Sequence, residues 1–203
     1  EGRSLAGAIT AIDMALWDIK GKLLATPVWN LIGGQVRDKV RYYAHAKTVE
    51  DAQALVARGV TCVKLGGHEC MVERVGEMRQ ALGKPIDIAV DLHGPPWLPA
   101  SDAIAIGKAL ESFDLLFLEE PVAPEDLDGW KRVRRALANT PLAGGERLAM
   151  KWGAYALIRE GLVDIIQPDT GRAGGLTEMK KIAALAEAHF LQVASHSGSL
   201  GPV

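Results

Sequence analysis

Helix-length amphipathic segments alternate with short apolar runs along most of this chain. Helical periodicity covers 49–58, 71–82, 100–112, 127–138, 151–160 and 176–188, with Gly59, Gly83 and Gly161 as stops. Between them lie apolar runs at 61–65, 86–90, 115–119, 142–145, 164–167 and 191–195, and a first run at 39–46 makes seven predicted strands. Ahead of these, Ser4 is placed to cap a helix with Leu5, Ile9, Ile12, Leu16 and Ile19 on one face and Gly21 at its end. Thr26-Pro27 and Gly33-Gly34 then mark a loop.

Strands alternating with helices of this length predict right-handed βαβ units and a parallel sheet, so the fold class is α/β. Seven such units without a nucleotide-type glycine fingerprint favour a TIM-type (β/α) barrel over an open doubly wound sheet. A closed barrel needs ~8 strands and ~250 residues. The chain is therefore expected to be part of a longer protein, with the eighth strand missing. Residues 1–38 are read as an entrance helix and linker, and 39–203 as barrel strands one to seven.

Composition narrows the function classes. The 48% hydrophobic and 24% charged residues are ordinary globular values, and the formal net charge is −2. Such a balance gives no reason to expect nucleic acid or an anionic membrane as a partner. The one dense basic run, Lys131, Arg132, Arg134 and Arg135, falls in a helical pattern and reads as a solvated face. Cys62 and Cys70 have no metal-type spacing, and no signal peptide or membrane-length apolar run is present. The expectation is a cytoplasmic protein acting on a small molecule.

The candidate chemistry sits at the strand ends. The stretch 85–94 reads Pro-Ile-Asp-Ile-Ala-Val-Asp-Leu-His-Gly, an apolar run that stops on Asp91 and His93. Two residues apart on an extended chain, these side chains point to one side. Reading the other ends in order gives Lys64, Glu119 with Glu120, Glu146, Asp169 and His196. Any one of these alone is a solvated strand end or a helix cap. Asp91, Glu119 and Glu146 on consecutive strands are different, because three converging carboxylates repel unless a cation lies between them. Oxygen donors without Cys point to a hard ion, Mg²⁺. Asp169 and His196 fall on neighbouring strands, close enough for the carboxylate to hold the imidazole as a general base.

These residues also carry a family resemblance. Ala-Ile-Asp-Met-Ala-Leu-Trp-Asp-Ile-Lys-Gly-Lys (11–22) and Leu-Ile-Gly-Gly (31–34) resemble the approach to the barrel in the enolase superfamily, mandelate racemase subgroup. The likeness continues through Val-Asp-Leu-His-Gly, Leu-Glu-Glu-Pro, Gly-Gly-Glu-Arg, Gln-Pro-Asp, Ala-Gly-Gly-Leu-Thr-Glu and Ser-His. The Asp-x-His-Gly and Leu-Gly-Pro (200–202) details look most like the D-galactonate dehydratases and related sugar-acid dehydratases. The resemblance implies a (β/α)7β barrel with a capping domain. It implies Asp91, Glu119 and Glu146 on Mg²⁺, His196 with Asp169 for proton abstraction, and His93 for acid catalysis. The subgroup's racemases carry Lys-x-Lys on strand two. Here the segment is Lys64-Leu65-Gly66, which argues against a two-base racemase.

Lys64 either neutralises a substrate carboxylate or pairs with a ring carboxylate. Arg147 is a second candidate for substrate binding, with a structural ion pair as the bland reading. Glu120 is assigned to support the metal ligands from behind, and His93 has the alternative role of an extra ligand. The expected activity is Mg²⁺-dependent dehydration of a sugar acid, an aldonate such as galactonate, to a 2-keto-3-deoxy acid. The alternatives are an epimerase or cycloisomerase of the same superfamily, or an inactive truncated scaffold. A homo-oligomer is expected at full length.

Overall fold

Apolar runs become strands where both faces can be covered, and here they pair in parallel. The computed structural model describes residues 2–196. Its strands are β1 (Ala44–His45), β2 (Cys62–Gly66), β3 (Asp87–Asp91), β4 (Phe117–Glu119), β5 (Leu142–Gly144), β6 (Ile165–Ile166) and β7 (Gln192–Val193). They follow one another in chain order within a single sheet. The helices are α1 (Gly2–Leu23), α2 (Val28–Leu31), α3 (Val49–Ala57), α4 (Met71–Leu82), α5 (Ala100–Leu110), α6 (Leu127–Ala136), α7 (Met150–Arg159) and α8 (Gly175–Ala188). One helix separates each pair of consecutive strands, the α/β order of a TIM-type barrel read from the sequence. The chain divides into two compact units, Arg41–Ala143 and the described parts of Glu1–Val40 with Gly144–Val203.

In the Arg41–Ala143 unit the strand pattern separates two faces. Val63, Leu65, Ile88, Val90 and Leu118 are fully buried on one parity. Lys64, Ala89, Asp91, Phe117 and Glu119 occupy the other. Register places Lys64 opposite Ala89, Gly66 opposite Asp91, and Asp91 opposite Glu119. Helices α5 and α6 approach closely at Gly107, where a Cβ would lie 2.3 Å from Leu137 Cδ1. Arg79 of α4 donates to the carbonyls of Gly83, Ile86, Phe113 and Asp114, tying together the turns that lead into β3 and β4. Nothing in the hydrophobic pattern foretells that use of an arginine.

Several boundaries move. β1 covers two residues of the eight expected, and Val40 and Tyr42 ahead of it are 73% and 63% exposed. α5 ends in a 3-10 turn, Glu111–Phe113. α1 begins at Gly2, so Ser4 lies inside the helix and does not cap it. Gly21 does not end that helix. The chain folds back there, Thr26 N donating to the Gly21 carbonyl at 3.0 Å, and the missing Cβ leaves room for Thr26 O.

The apolar stripe of α1 is also not the face it buries within its unit. Leu5, Ile12 and Leu16 are 60–65% exposed, while Ala6 and Thr10 are each 3% exposed. Hydrogen-bonding demand at the N-terminus of α8 decides this: its amides take acceptors from the polar side of α1.

Glu178, in the first turn of α8, is a second buried polar link. It accepts from the Lys151 backbone N at 2.9 Å and from Lys181 Nζ at 2.6 Å. Burial pushes its carboxyl upward, but the bonds from Lys181 and Lys151 outweigh that and hold it below the usual value. A carboxyl lowered on folding adds stability above its unfolded pKa, ~4.3, and that stability is lost as pH falls through the folded value. Glu178→Gln is expected to cost about 1–2 kcal/mol at pH 7. Urea unfolding at pH 7 and in acid should show the difference shrinking at the lower pH. An equal cost at both pH values would make the contact independent of charge.

Candidate active site

In the Arg41–Ala143 unit, the strand ends bring Lys64, Asp91, His93 and Glu119 into one cluster. Lys64 sits two residues before the Gly66–Asp91–Glu119 register line, and its long side chain leans along the strand to reach that line. Its Nζ lies 2.9 Å from Asp91 Oδ2 and 2.8 Å from Glu119 Oε2, with side-chain exposures of 1%, 0% and 0%. It also stands 5.4 Å over the Tyr43 ring, which packs edge-on against Phe117. Burial alone would lower the Lys64 pKa, yet Glu119 and Asp91 outweigh it and hold the ammonium well above its ordinary value. Lys64 thus pairs with two strand-end carboxylates.

Asp91 serves two partners. Its Oδ1 accepts from the His93 backbone N at 3.1 Å and lies 2.5 Å from His93 Nδ1. Burial pushes the Asp91 carboxyl up, but His93 and Lys64 together hold it below the usual range. With Nδ1 against that carboxylate, His93 Nε2 is the ring atom able to carry a proton elsewhere. Glu120 is buried with φ +40°, a left-handed residue that leaves the line of β4.

The other unit holds a second cluster. Asp169 and His196 form a parallel bridge just past β6 and β7, with His196 Nδ1 2.6 Å from Asp169 Oδ2. His196 Nε2 lies 3.0 Å from Glu146 Oε2. The Glu146 bond raises the imidazole above its usual pKa, burial opposes it, and Asp169 adds to the rise. Glu146 Oε1 meets two further cations, Arg147 Nε at 3.2 Å and Arg172 Nη1 at 3.2 Å. Arg147 therefore stands in an ion pair with Glu146.

Arg172 was not singled out by the sequence reading. It reaches both Glu146 and Asp169 from the loop after β6. Its position, three residues past a strand-end aspartate, was the available signal. The glycine-rich stretch 171–175 offers no open anion nest at Gly171 or Gly174. Gly171 N donates to Asp169 Oδ1 and Gly174 N to Thr10 Oγ1.

Of the remaining histidines, His45 and His189 are exposed and His68 is half-buried. Cys62 is buried, and burial pushes its thiol up to about 12, which makes it inert. The Leu200-Gly201-Pro202 stretch lies outside the described residues.

A hard divalent cation can be tested against these donors. Asp91 and Glu119 offer only oxygen, oppose each other in register, are fully buried, and share one ammonium between two negative charges. That donor chemistry fits Mg²⁺ better than a soft metal. Among the described residues, no group of three or more His, Cys, Asp or Glu side chains is arranged as a metal cluster. Among them too, no helix is long and apolar enough to cross a membrane.

The family described as "Enolase C-terminal domain-like" matches residues 47–203. The "Mandelate racemase / muconate lactonizing enzyme, N-terminal domain" matches residues 3–33. The chain is 40% identical over 220 residues to a D-galactonate dehydratase of Ralstonia pickettii, covering all of this chain and 56% of that protein. The chain thus spans about half the length of the curated relatives it matches. Its backbone resembles the 3,6-anhydro-D-galactonate cycloisomerase of Zobellia galactanivorans, with TM-score 0.89, 38% identity, and 96% and 57% of the two chains covered. It also resembles a mandelate racemase/muconate lactonizing enzyme-like protein of Roseovarius sp. TM1035, with TM-score 0.90, 34% identity, and 97% and 57% covered. With both of the family's domains matched and its fold reproduced, the chain belongs to the enolase superfamily, in the mandelate racemase and muconate lactonizing enzyme group.

Proposed function

We propose that this protein is a hydro-lyase that dehydrates a sugar acid, an aldonate such as galactonate, to a 2-keto-3-deoxy acid. The observation that carries this reading is the His196 ring held through Nδ1 by Asp169. A histidine held in that way can accept a proton at Nε2 once Glu146 Oε2, 3.0 Å from that nitrogen, is taken up by the cation assigned to it. Identity of 40% to a D-galactonate dehydratase supports the substrate class. The matched ranges 3–33 and 47–203 support reading 1–38 as the approach to a barrel made by 39–203.

Asp91, Glu119 and Glu146 are the residues we assign to hold Mg²⁺, with Glu120 supporting them. The ion supplies positive charge for the dianion produced when a proton is taken from beside a carboxylate. His196 Nε2 takes that proton, and Asp169 keeps the ring in the required tautomer and orientation. His93, fixed by Asp91 through Nδ1, gives a proton to the neighbouring hydroxyl, which leaves as water. The resulting enol picks up a proton at the carbon that lost the hydroxyl and becomes the 2-keto acid. Arg147 is retained as a candidate for the substrate's anionic end, and Lys64 sets the charge of the Asp91–Glu119 pair. The free thiols of Cys62 and Cys70 support a reducing cytoplasmic setting.

A screen of acid sugars for 2-keto-3-deoxy product, with and without Mg²⁺, tests this reading. A cycloisomerase is the second reading, favoured by the Zobellia galactanivorans likeness, and it would yield an isomer without loss of water. His93→Asn separates the two halves of the reaction. The variant is expected to exchange the substrate's α-proton with deuterated water while forming less than about 1% of the wild-type keto acid. Equal loss of both activities, with Mg²⁺ binding intact by calorimetry, would overturn the division of labour.

A further inference from the structure

Three side chains of α1 end on one short stretch of backbone. Thr10, Asp13 and Trp17 are spaced three and four residues apart, so they share a helix face. Thr10 Oγ1 accepts from Gly174 N at 3.0 Å, and Asp13 Oδ2 accepts from Thr177 N at 3.1 Å. Trp17 Nε1 donates to Thr177 Oγ1 at 2.9 Å. The residue before α8 is Gly174, which has no capping side chain, so this helix takes its capping acceptors from α1. Close approach is built in. Gly175 has φ +82°, and a Cβ there would lie 2.4 Å from Asp13 Oδ2.

The same stretch is the far end of the loop that follows Asp169. Gly171 N donates to Asp169 Oδ1 at 2.7 Å, and Ala173 N donates to the Asp169 carbonyl at 2.7 Å. The remaining carboxylate oxygen, Oδ2, meets His196 Nδ1. Asp169 is therefore oriented by a loop whose other end is bonded to α1, with two residues separating Gly171 from Gly174. Met150 N, at the start of α7, closes the loop's flank by donating to the Ala173 carbonyl at 2.9 Å.

We propose that Thr10 and Asp13 are positioning residues: α1 clamps the loop after β6 and thereby aims Asp169 at His196. The kinetic part rests on the proposed role of that pair in proton abstraction. The 3–33 segment then contributes to the reaction without touching the substrate.

The test uses amides that do not themselves contact α1. In Asp13→Ala, hydrogen exchange at Gly171 and Ala173 is expected to rise about tenfold, the size of a lost cap, while exchange in the Arg41–Ala143 unit stays unchanged. For keto-acid formation, kcat should fall about tenfold with KM unchanged, because the base is misaimed and the substrate contacts are not. Asp13→Asn keeps an acceptor for Thr177 N and should restore both readouts. Thr10→Val, nearly isosteric, should reproduce the effect if Asp13→Ala fails to fold, with Thr10→Ser as its rescue. Unchanged exchange at Gly171 and Ala173 would overturn the clamp. Faster exchange with unaltered kcat would overturn its positioning role. If the wild-type protein at the full length of its relatives forms no keto acid, the proposed function fails, and the exchange data still decide the clamp.

Discussion

His196→Asn is expected to reduce exchange of the substrate's α-proton with deuterated water by about 10²–10⁴-fold. The imidazole sits between two carboxylates, Asp169 at Nδ1 and Glu146 at Nε2, and asparagine offers no ring nitrogen able to take a proton at either place. Asp169→Asn should lose nearly as much, because the neutral amide no longer favours the imidazolium that forms as the proton is taken. The double variant should be scarcely worse than either single one, since members of a catalytic unit are not additive. Exchange measured by proton NMR in deuterated buffer checks all three. Surviving exchange in His196→Asn would move the base to another residue. Multiplicative losses in the double variant would separate the two residues into independent roles.

Lys64→Met carries the second large effect, on stability. Methionine fills much of the space, but it removes the cation over the Tyr43 ring and leaves Asp91 and Glu119 buried without their ammonium. Breaking a buried charge cluster by removing one partner costs about 3–5 kcal/mol, because an uncompensated charge stays out of water. Two features distinguish this from a packing defect. The loss should shrink as pH falls into the carboxylate range, since protonated Asp91 or Glu119 needs no counter-ion. Saturating Mg²⁺ should also recover about 2–4 kcal/mol by mass action if that ion occupies the same carboxylates. Urea unfolding at pH 7 and pH 5, with and without Mg²⁺, reads both. A loss below about 1 kcal/mol would mean that water already compensates the pair.

The Lys64 cluster also shows how a sequence motif and a packed site differ. On the sequence, Lys64 was a strand-end cation with two possible partners. Only the register, with Lys64 two residues before the Gly66–Asp91–Glu119 line, shows that its ammonium arrives between the two carboxylates. Likewise, Asp169 and His196 were legible as a pair because parallel neighbouring strands repeat a fixed spacing. Arg172 was not, because its reach to Glu146 depends on how a glycine-rich loop folds back over its own strand.

What the sequence by itself determined was local and periodic. Apolar runs of four to five residues specify parallel strands, largely buried from β2 to β6 and exposed at β7, and helical periodicity with glycine stops specifies the segments between them. Those two periods set the α/β order, and the strand ends followed from it, which is why Asp91, Glu119, Glu146, Asp169 and His196 could be named at once. Tertiary structure decided matters that depend on hydrogen-bonding demand far along the chain. The sequence puts Leu5, Ile9, Ile12, Leu16 and Ile19 on one face of α1, yet within its unit Thr10, Asp13 and Trp17 face α8 and the leucines do not. The amides that begin α8 have no acceptors of their own and lie more than 160 residues away in sequence. Those amides must find acceptors, and no local pattern records where such an amide finds its partner.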